Sequence, residues 1–501
     1  MIRLKNIVFY HLFLLTTIAI GQEVNPFLQR EFWKTNPSIA AVEEKIKEGH
    51  DVSQLNANSF DPVVYAILTA TENSTIKYLL TKEGNGANKL THDGRTYLFW
   101  AAYKNNLEIM EHLLQLGAKT DVIDDHGNTV LTFAAGSGQT NPQLYDFLIN
   151  NGASLQETNK SGTNAILLLA PSVNSLEELS YFLSKGLSLD TQDEKGNGLF
   201  NYVARTGNIK LLKELLRKGI APTINKEGTN AMFFAAQGSR GHTNGLEVYQ
   251  YLESVGVNPK ATSKEGLTPL HVLAYRNKEL PVFEYFLKKG IAINAMDDEG
   301  NTAFGNASGR NTLEVIQYLA EKGAEINLQN KKGETPIMNA VGNNSTEVVA
   351  YLLKQGANPQ VKDQKGNTLA YYLWNSYSDR NKEPFLEKLK LLQQNGVSLE
   401  RLQAGSQTPF HFASEKQSTE LLKILIDLKI PAAYLNSKNN DGLTPLHLAA
   451  MKASDDAFLK KMISAGANLK VTTDFDETAF DLASENELLK EKKIPINFLK
   501  P

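Results

Sequence analysis

The segment GLTPLHLAA at residues 442–450 places a histidine, a threonine and a proline close together. A histidine beside a hydroxyl group can serve a nucleophilic site, so His447 is a candidate catalytic residue. A catalytic site occurs once in a chain, whereas a structural device recurs. Whether the segment is repeated therefore decides between the two interpretations.

The segment is repeated along the chain. Histidine returns in GLTPLHVLA at residues 266–274 and in SQTPFHFAS at residues 406–414, and GETPIMNAV at residues 333–341 is a related copy. With the threonine position of each copy as the register, neighbouring copies lie 32 to 40 residues apart. The register positions are Thr96, Thr129, Asn164, Gly198, Asn230, Thr268, Thr302, Thr335, Thr368, Thr408, Thr444 and Thr478. Such a period is the sequence signature of a stacked array.

Each period predicts two short helices and an extended return. Threonine followed by proline begins the inner helix, because the hydroxyl caps free amides and the proline ring already has a helical φ. An amphipathic run such as LEVIQYLAEKG at residues 313–323 predicts the outer helix, which a left-handed glycine ends. That glycine is missing only from the copy that begins near Thr408. One unit cannot bury its own apolar faces, so stacking on neighbours makes it fold.

The combination of G-x-T-P-L-H-x-A-A, a leucine-rich helix, Gly-Ala and a finger loop resembles the ankyrin repeat over roughly residues 24–495. The resemblance implies an all-α ankyrin-repeat solenoid of about 13 helix-turn-helix units with β-hairpin-like finger loops. We expect a degenerate N-terminal capping repeat at residues 22–58, the array at residues 59–473, and a C-terminal capping repeat and tail at residues 474–501. The resemblance also implies that His271, His411 and His447 hydrogen-bond the backbone across adjacent repeats.

The first residues of the chain predict export. Arg3 and Lys5 precede 14 apolar residues, and small residues precede Gln22, which is the layout of a secretory signal peptide at residues 1–21. The apolar stretch is short for a membrane span, although an uncleaved anchor is the alternative. We expect a periplasmic or extracellular protein with no membrane span after signal removal. The chain contains no cysteine, which excludes thiol chemistry.

Charge and ligand spacing disfavour other functional classes. The chain has 52 basic and 55 acidic residues, so it lacks the basic footprint that nucleic acid requires. No His-x-x-x-His pair is present, and zinc needs three or four converging ligands. Acidic pairs such as Asp124 and Asp125 fall at finger tips, where a solvated turn is favoured over calcium. We therefore predict no metal, no cofactor and no enzymatic activity.

A surface for a protein partner is what the sequence then favours. The resemblance implies a concave groove between the fingers and the inner helices, and tyrosine and arginine most often dominate interface energies. The candidate contact residues follow the alanine pair or lie in two insertions, between Ala236 and Leu246 and between Trp374 and Leu386. They are Tyr103, Arg205, Arg240, His242, Tyr275, Arg276, Arg310, Trp374 and Tyr377.

A mostly apolar ladder occupies the position after the motif's histidine. Trp100, Phe133 and Phe234 are examples, and we expect each such side chain to pack against its counterpart one repeat away. Asn306 and Asn339 interrupt the ladder in the middle of the array.

The leading hypothesis is an exported, non-enzymatic scaffold that binds a protein partner through the groove and finger loops. An envelope enzyme with a site around His242 or Asp379 is one alternative. An accessory factor that protects or assembles an envelope redox enzyme is another. The residues specify neither the partner nor an oligomeric state.

Overall fold

The computed structural model describes residues 25–501, which divide into two compact units between Glu194 and Lys195. The predicted signal peptide at residues 1–21 lies outside the described residues. Both units are helical, and residues 25–501 contain isolated β-bridges, such as Met296 with Thr302, but no β-strand. The predicted all-α repeat fold is confirmed.

The first unit contains ten described α-helices, whose odd-numbered members pack against one another from repeat to repeat. These are α1 (Arg30–Lys34), α2 (Ile39–Lys47), α3 (Pro62–Leu68), α4 (Asn73–Leu80), α5 (Tyr97–Tyr103), α6 (Leu107–Gln115), α7 (Val130–Gly136), α8 (Pro142–Asn150), α9 (Ala165–Leu169) and α10 (Ser180–Ser184). Short 3₁₀ turns lie at Pro26–Leu28, His92–Gly94, Ala170–Ser172 and Leu176–Leu179.

The second unit contains eighteen α-helices with the same alternation of inner and outer members. These are α11 (Leu199–Ala204), α12 (Ile209–Arg217), α13 (Ala231–Gln237), α14 (Leu246–Ser254), α15 (Pro269–Leu273), α16 (Leu280–Lys288), α17 (Ala303–Arg310), α18 (Leu313–Glu321), α19 (Pro336–Asn343), α20 (Thr346–Lys354), α21 (Leu369–Ser376), α22 (Lys382–Gln394), α23 (Pro409–Glu415), α24 (Thr419–Asp427), α25 (Pro445–Lys452), α26 (Ala457–Ser464), α27 (Ala479–Glu485) and α28 (Glu487–Glu491). Its 3₁₀ turns lie at Asp379–Asn381, Ala404–Ser406, Ala432–Leu435 and Asn497–Leu499. The two units thus hold five and nine helix pairs, fourteen in all, where the sequence predicts about 13.

The inner helices begin at the predicted caps. In α25, Pro445 is the first helical residue, and the Oγ1 atom of Thr444 accepts a hydrogen bond from the His447 amide at 3.3 Å. Ala449 and Ala450 are buried, because their small side chains let the neighbouring inner helices come close.

The outer helices end in the left-handed region of backbone space. Gly356 follows α20 with φ +87°. In the repeat that begins at Thr408 the glycine after the outer helix is absent, and Lys429 adopts this conformation with φ +57°. A side chain there carries a strain of roughly 1–2 kcal/mol. The geometry of the repeat is therefore kept although its glycine is absent.

The fingers of the second unit are joined by one main-chain hydrogen bond at most steps. The amide of Asp298 donates to the carbonyl of Glu265, and the amide of Lys331 donates to that of Glu299, both at 2.8 Å. Each finger is also closed internally, as where Asp297 Oδ1 accepts the amides of residues 299 and 301. These bonds hold the fingers in a hairpin-like form without a paired β-strand in residues 25–501.

A row of asparagine amides fastens the repeats between the inner and outer helices. Asn311 Nδ2 donates to the carbonyls of Ala274 and Asn277, each at 2.9 Å, and Asn344 Nδ2 donates to that of Asn311, also at 2.9 Å. In the next repeat the buried Lys388 takes this role, with its ammonium 3.1 Å from the carbonyl of Asn344. Burial lowers the pKa of Lys388.

Both insertions lie between an inner and an outer helix, as predicted. The first, between α13 and α14, forms a tight turn in which Ser239 and His242 exchange two main-chain hydrogen bonds of 3.1 Å. The second is not entirely a loop, because part of it lengthens α22 to 13 residues.

Candidate protein-interaction surface

The three motif histidines are fixed between repeats. The Nδ1 atom of His447 accepts the amide of Thr444 at 3.1 Å, and its Nε2 atom lies 2.9 Å from the carbonyl oxygen of Val471. His271 and His411 have the same two kinds of partner. Burial lowers the pKa of all three imidazoles. The interpretation of these residues as structural is confirmed.

The two residues proposed to centre an enzymatic site have local partners. His242 Nε2 lies 3.2 Å from Asn244 Oδ1, while Asp379 accepts hydrogen bonds from the hydroxyls of Tyr377 and Ser418. Between residues 25 and 501, no three histidine or acidic side chains are grouped so that they could hold a metal ion. Among these residues, no such group surrounds His242 or Asp379.

In each unit, the exposed ends of the inner helices and the adjoining fingers are here termed the groove face of that unit. Position seven after the register threonine places Tyr103 on the groove face of the first unit and Tyr275 on that of the second, with exposed fractions of 40% and 46%. Position eight contributes Lys104, Arg276 and Arg310, all exposed. Four of the predicted contact positions are therefore accessible there, namely Tyr103, Tyr275, Arg276 and Arg310.

Tyr275 lies within the electrostatic influence of a finger and of the following inner helix. Burial and the carboxylate of Asp297 raise the pKa of this tyrosine, and the guanidinium of Arg310 opposes the shift. Tyr275, Arg310 and Asp297 consequently form one neighbourhood that covers two successive repeats.

Arg205 is half-buried on the aromatic ladder rather than extended into solvent. Its guanidinium lies 5.6 Å from the ring of Tyr202 and 5.2 Å from that of Phe234, within the range of a cation–π interaction. The rings of Tyr202 and Phe234 are themselves 5.5 Å apart, so packing of the ladder from repeat to repeat is confirmed at this step. Arg240 and His242 are exposed in the first insertion.

Trp374 and Tyr377 do not lie on the surface, in contrast to the prediction. Trp374 is fully buried and Tyr377 is 3% exposed. Their rings lie 5.8 Å and 4.9 Å from that of Phe385, so both anchor α22 against α21. The flanking aromatic residues hold the second insertion in place, and a partner cannot reach them.

An aromatic cluster in the first unit was not predicted as a whole. The ring of Phe60 stacks on His92 at 4.4 Å and lies 5.7 Å from Trp100, which in turn lies 5.9 Å from Phe133. The guanidinium of Arg95 covers Phe133 at 4.3 Å. Trp100 and Phe133 belong to the ladder, whereas Phe60 and His92 come from fingers, where no periodic signal marks them.

Arg95 also joins two fingers through carboxylates. Its Nε atom lies 2.9 Å from Asp124 Oδ2, and its Nη1 atom lies 3.1 Å from Asp93 Oδ2. Burial alone would raise the pKa of Asp93, but the hydrogen bond from His126 and the charges of His92 and Arg95 hold it below its ordinary value.

A cavity of about 330 Å³ opens on the second unit. Its wall includes Tyr371 and Tyr372, and the hydroxyl of Tyr372 donates to Asp363 Oδ2 at 2.9 Å. Lys332 and Lys365 lie exposed at its edge. The link to the next finger differs here, since the amide of Ala404 donates to the side-chain oxygen of Asn367 and not to a finger carbonyl.

No helix between residues 25 and 501 combines the length and the apolar character needed to cross a bilayer.

One family model matches the chain. The model described as "Ankyrin repeats (3 copies)" matches residues 34–124, 64–159, 241–330, 306–379 and 376–473, which is more than half of the chain.

Similar curated proteins share part of their length with this chain. The NAD-dependent deacetylase sir2B of Dictyostelium discoideum is 25% identical over 244 residues, which is 47% of this chain and 30% of that protein. The nuclear factor NF-kappa-B p105 subunit of Gallus gallus is 28% identical over 34% of this chain and 17% of its own length. The putative ankyrin repeat protein FPV230 of Fowlpox virus (strain NVSL) is 28% identical over 35% of this chain and 90% of its own length. The chain thus spans less than a third of the first two relatives.

Among solved structures, the human ASB11 ankyrin repeat domain is similar, with 23% identity and a TM-score of 0.36. The similarity covers 45% of this chain and 96% of that domain.

Proposed function

Because the chain belongs to the ankyrin-repeat family, we propose that it is a non-enzymatic scaffold that binds a protein partner on its groove face. The observation that carries this proposal is the exposure of large side chains at matching repeat positions. Tyr103 and Tyr275 occupy position seven, and Arg276 and Arg310 occupy position eight. Tyrosine and arginine are enriched among the residues that dominate binding energy.

Hydrogen bonds between repeats support binding by a preformed surface. The motif histidines and the asparagine amides connect successive repeats by hydrogen bonds, so the groove face is held before a partner arrives. A preorganised surface loses little conformational entropy on association, which leaves more of the contact energy for affinity.

We further propose that residues 1–21 are a signal peptide and that the mature protein is periplasmic or extracellular. The basic residues Arg3 and Lys5, the apolar run and the small residues before Gln22 support this assignment. Sequencing the N-terminus of the protein from its native cells is expected to begin at Gln22. Recovery of an uncleaved chain in the membrane fraction would contradict the assignment.

Photo-crosslinking tests the binding surface directly. A benzoylphenylalanine placed at Tyr275 is expected to capture a specific protein from the native cell, because this position is exposed on the groove face. The matched control places the same group at Lys288, which is exposed on the outer helix α16 with a side-chain exposure of 74%. Equal capture at both positions, or none at Tyr275, would contradict the proposal.

A further inference from the structure

We propose that the groove face around α17 and α19 binds an extended, acidic segment of the partner. This inference rests on the proposed function and names the chemistry of the partner. The proposed site is termed the polar depression, and it consists of Asn306, Asn339 and Gly342, with the buried Gly309 next to Asn339. Tyr275 precedes it by one repeat and Tyr372 follows it.

The depression exists because two successive repeats lack large side chains on this face. Position seven holds Tyr275 in the preceding repeat but Gly309 and Gly342 in the next two. A side-chain carbon added at Gly342 would lie 3.9 Å from Tyr372 Cβ, so the ring of Tyr372 closes the far end. The near end is closed by Tyr275, which is 46% exposed.

Two amide oxygens line the floor of the depression. Asn306 Nδ2 donates to the carbonyl of His271, and Asn339 Nδ2 donates to the carbonyl of Gly305, both at 3.2 Å. These bonds fix the orientation of each amide, because only the nitrogen can donate. Within residues 25–501 neither Oδ1 atom receives a hydrogen bond, although both side chains are partly accessible.

The two oxygens suit the main chain of an extended peptide. Asn306 and Asn339 occupy the same position in adjacent repeats, so their oxygens are presented in the same way. An extended chain carries unpaired N–H groups, and binding through them gives affinity for a strand-like segment of almost any sequence. Accessible acceptors in a row, with no side chain at Gly342, match that requirement.

The charges around the depression select the side chains of the segment. The guanidinium groups of Arg276 and Arg310 are exposed and form no ion pair within the described part of the chain. Both belong to position eight, one repeat apart, next to the depression. The carboxylates of Asp297, Asp298 and Glu299 belong to the adjoining finger loop, whereas the two arginines lie at the ends of inner helices. Carboxylates of a partner are therefore the complementary groups for the two arginines.

The adjoining cavity carries charges of both signs. It shares Tyr372 with the depression, and the exposed Lys332 and Lys365 at its edge have no ion-pair partner among residues 25–501. Its two carboxylates accept hydrogen bonds from neutral donors and keep their negative charge, Asp363 from the Tyr372 hydroxyl and Glu334 from the side-chain amide of Asn330, each at 2.9 Å. The acidic preference of the proposed site therefore rests on Arg276 and Arg310.

Peptide binding to the full chain tests the charge preference. The probes are fluorescent peptides of about twelve residues that alternate alanine with glutamate or with lysine. The glutamate peptide is expected to bind at least about tenfold more tightly, with an affinity that falls as salt is added. The double variant Arg276→Glu, Arg310→Glu is expected to lose about tenfold or more, whereas Arg401→Glu, an exposed arginine elsewhere, is expected to change binding by less than about twofold.

A second probe tests the amide oxygens. Methylation of alternate main-chain nitrogens in the glutamate peptide removes N–H donors and is expected to weaken binding to the unmodified chain. The same methylation is expected to have little further effect on the variant Asn306→Ala, Asn339→Ala. This variant also loses the bonds to His271 and Gly305, so its thermal unfolding is measured alongside. If the asparagine double variant does not fold, the variants at the exposed arginines still test the proposed site.

The outcomes separate the inference from the proposed function. Equal binding of the two peptides, or an equal loss in Arg401→Glu, would overturn the acidic-segment inference. A native partner that crosslinks at Tyr275 but binds the double arginine variant normally would also overturn it, while the proposed function would stand. Absence of any crosslink, with tight and arginine-dependent binding of the glutamate peptide, would count against the proposed function instead.

Discussion

The Nε2 atom of His411 lies 3.0 Å from the main-chain oxygen of Leu443, which belongs to the next repeat. Its Nδ1 atom accepts the amide of Thr408 at 3.1 Å. An imidazole that donates from one nitrogen and accepts at the other is neutral, with its proton on Nε2. The side chain therefore caps its own helix and joins it to the following repeat, which leaves neither nitrogen free for chemistry.

Replacement of His411 by alanine is expected to lower the free energy of unfolding by about 1–3 kcal/mol, since it leaves buried polar groups without partners. Urea denaturation followed by circular dichroism provides the measurement. His126→Ala is the control, because its side chain is 62% exposed, and a change within about 0.5 kcal/mol is expected there. Similar losses in the two variants would refute the structural role of His411.

The stability of the protein is expected to fall as the pH decreases through about 6.5. Burial lowers the pKa of His271, His411 and His447, so the unfolded chain takes up protons at a higher pH than the folded chain does. Proton uptake then favours unfolding below that pH, and the contribution is fully present above it. Urea denaturation at several values between about pH 7.5 and 5.5 measures the slope. The triple His→Gln variant is expected to show a shallower slope, and an unchanged slope would count against the assignment.

Two finger glycines provide a matched pair for backbone packing. Gly333 has φ +75°, and a side-chain carbon there would lie 2.7 Å from the main-chain nitrogen of Gln364. Gly366 has φ +86°, but nothing lies within 4 Å of the same position. Gly366→Ala is expected to lose roughly 1–2 kcal/mol from the left-handed backbone alone. Gly333→Ala is expected to lose a further ~1–3 kcal/mol, because the neighbouring finger must move.

Thermal and urea unfolding of both glycine variants measure the difference. Equal losses would show that the fingers at residues 333 and 364 do not pack as closely as described.

Trp374→Ala is expected to lower the free energy of unfolding by about 3–5 kcal/mol, because the indole is fully buried against Phe385. Tyr275→Ala is expected to change it by no more than about 0.5 kcal/mol, since Tyr275 is half exposed. Among variants that remain folded, Tyr275→Ala is expected to weaken the binding of a partner more than Trp374→Ala does. Urea denaturation and the crosslinking assay together provide the comparison, and a stable Trp374→Ala protein would contradict the burial.

Local sequence is sufficient to predict the repeats because their signals act over a few residues. The threonine cap and proline of α25 and the left-handed glycine after α20 each depend on the backbone next to them, and the structure has them where the pattern predicts. The inter-repeat role of His271, His411 and His447 was implied by the family resemblance, and it is confirmed. Lys429 marks the limit of this reasoning, because its repeat ends in the same way without the expected glycine.

The candidate surface was predicted only in part. Periodicity identifies the positions that leave the core, and Tyr103, Tyr275, Arg276 and Arg310 follow it. Trp374 occupies position six after its register threonine, which is buried in the preceding repeats at Ala274, Ser308 and Val341, so the period places it in the core. No count of sequence positions predicts that Phe385 of α22 contacts Trp374.

The order of the residues is enough to predict the repeat period, the helix boundaries near each cap and a binding surface without catalytic clusters. The folded chain is needed to see how the insertions are anchored, that Lys388 replaces an asparagine amide between repeats, and that Asn306 and Asn339 retain accessible oxygens. The difference lies in the distance along the chain over which the interactions act. Caps and turns are decided by neighbouring residues, whereas burial and hydrogen-bond partners depend on side chains that lie about one repeat apart and meet only when the repeats stack.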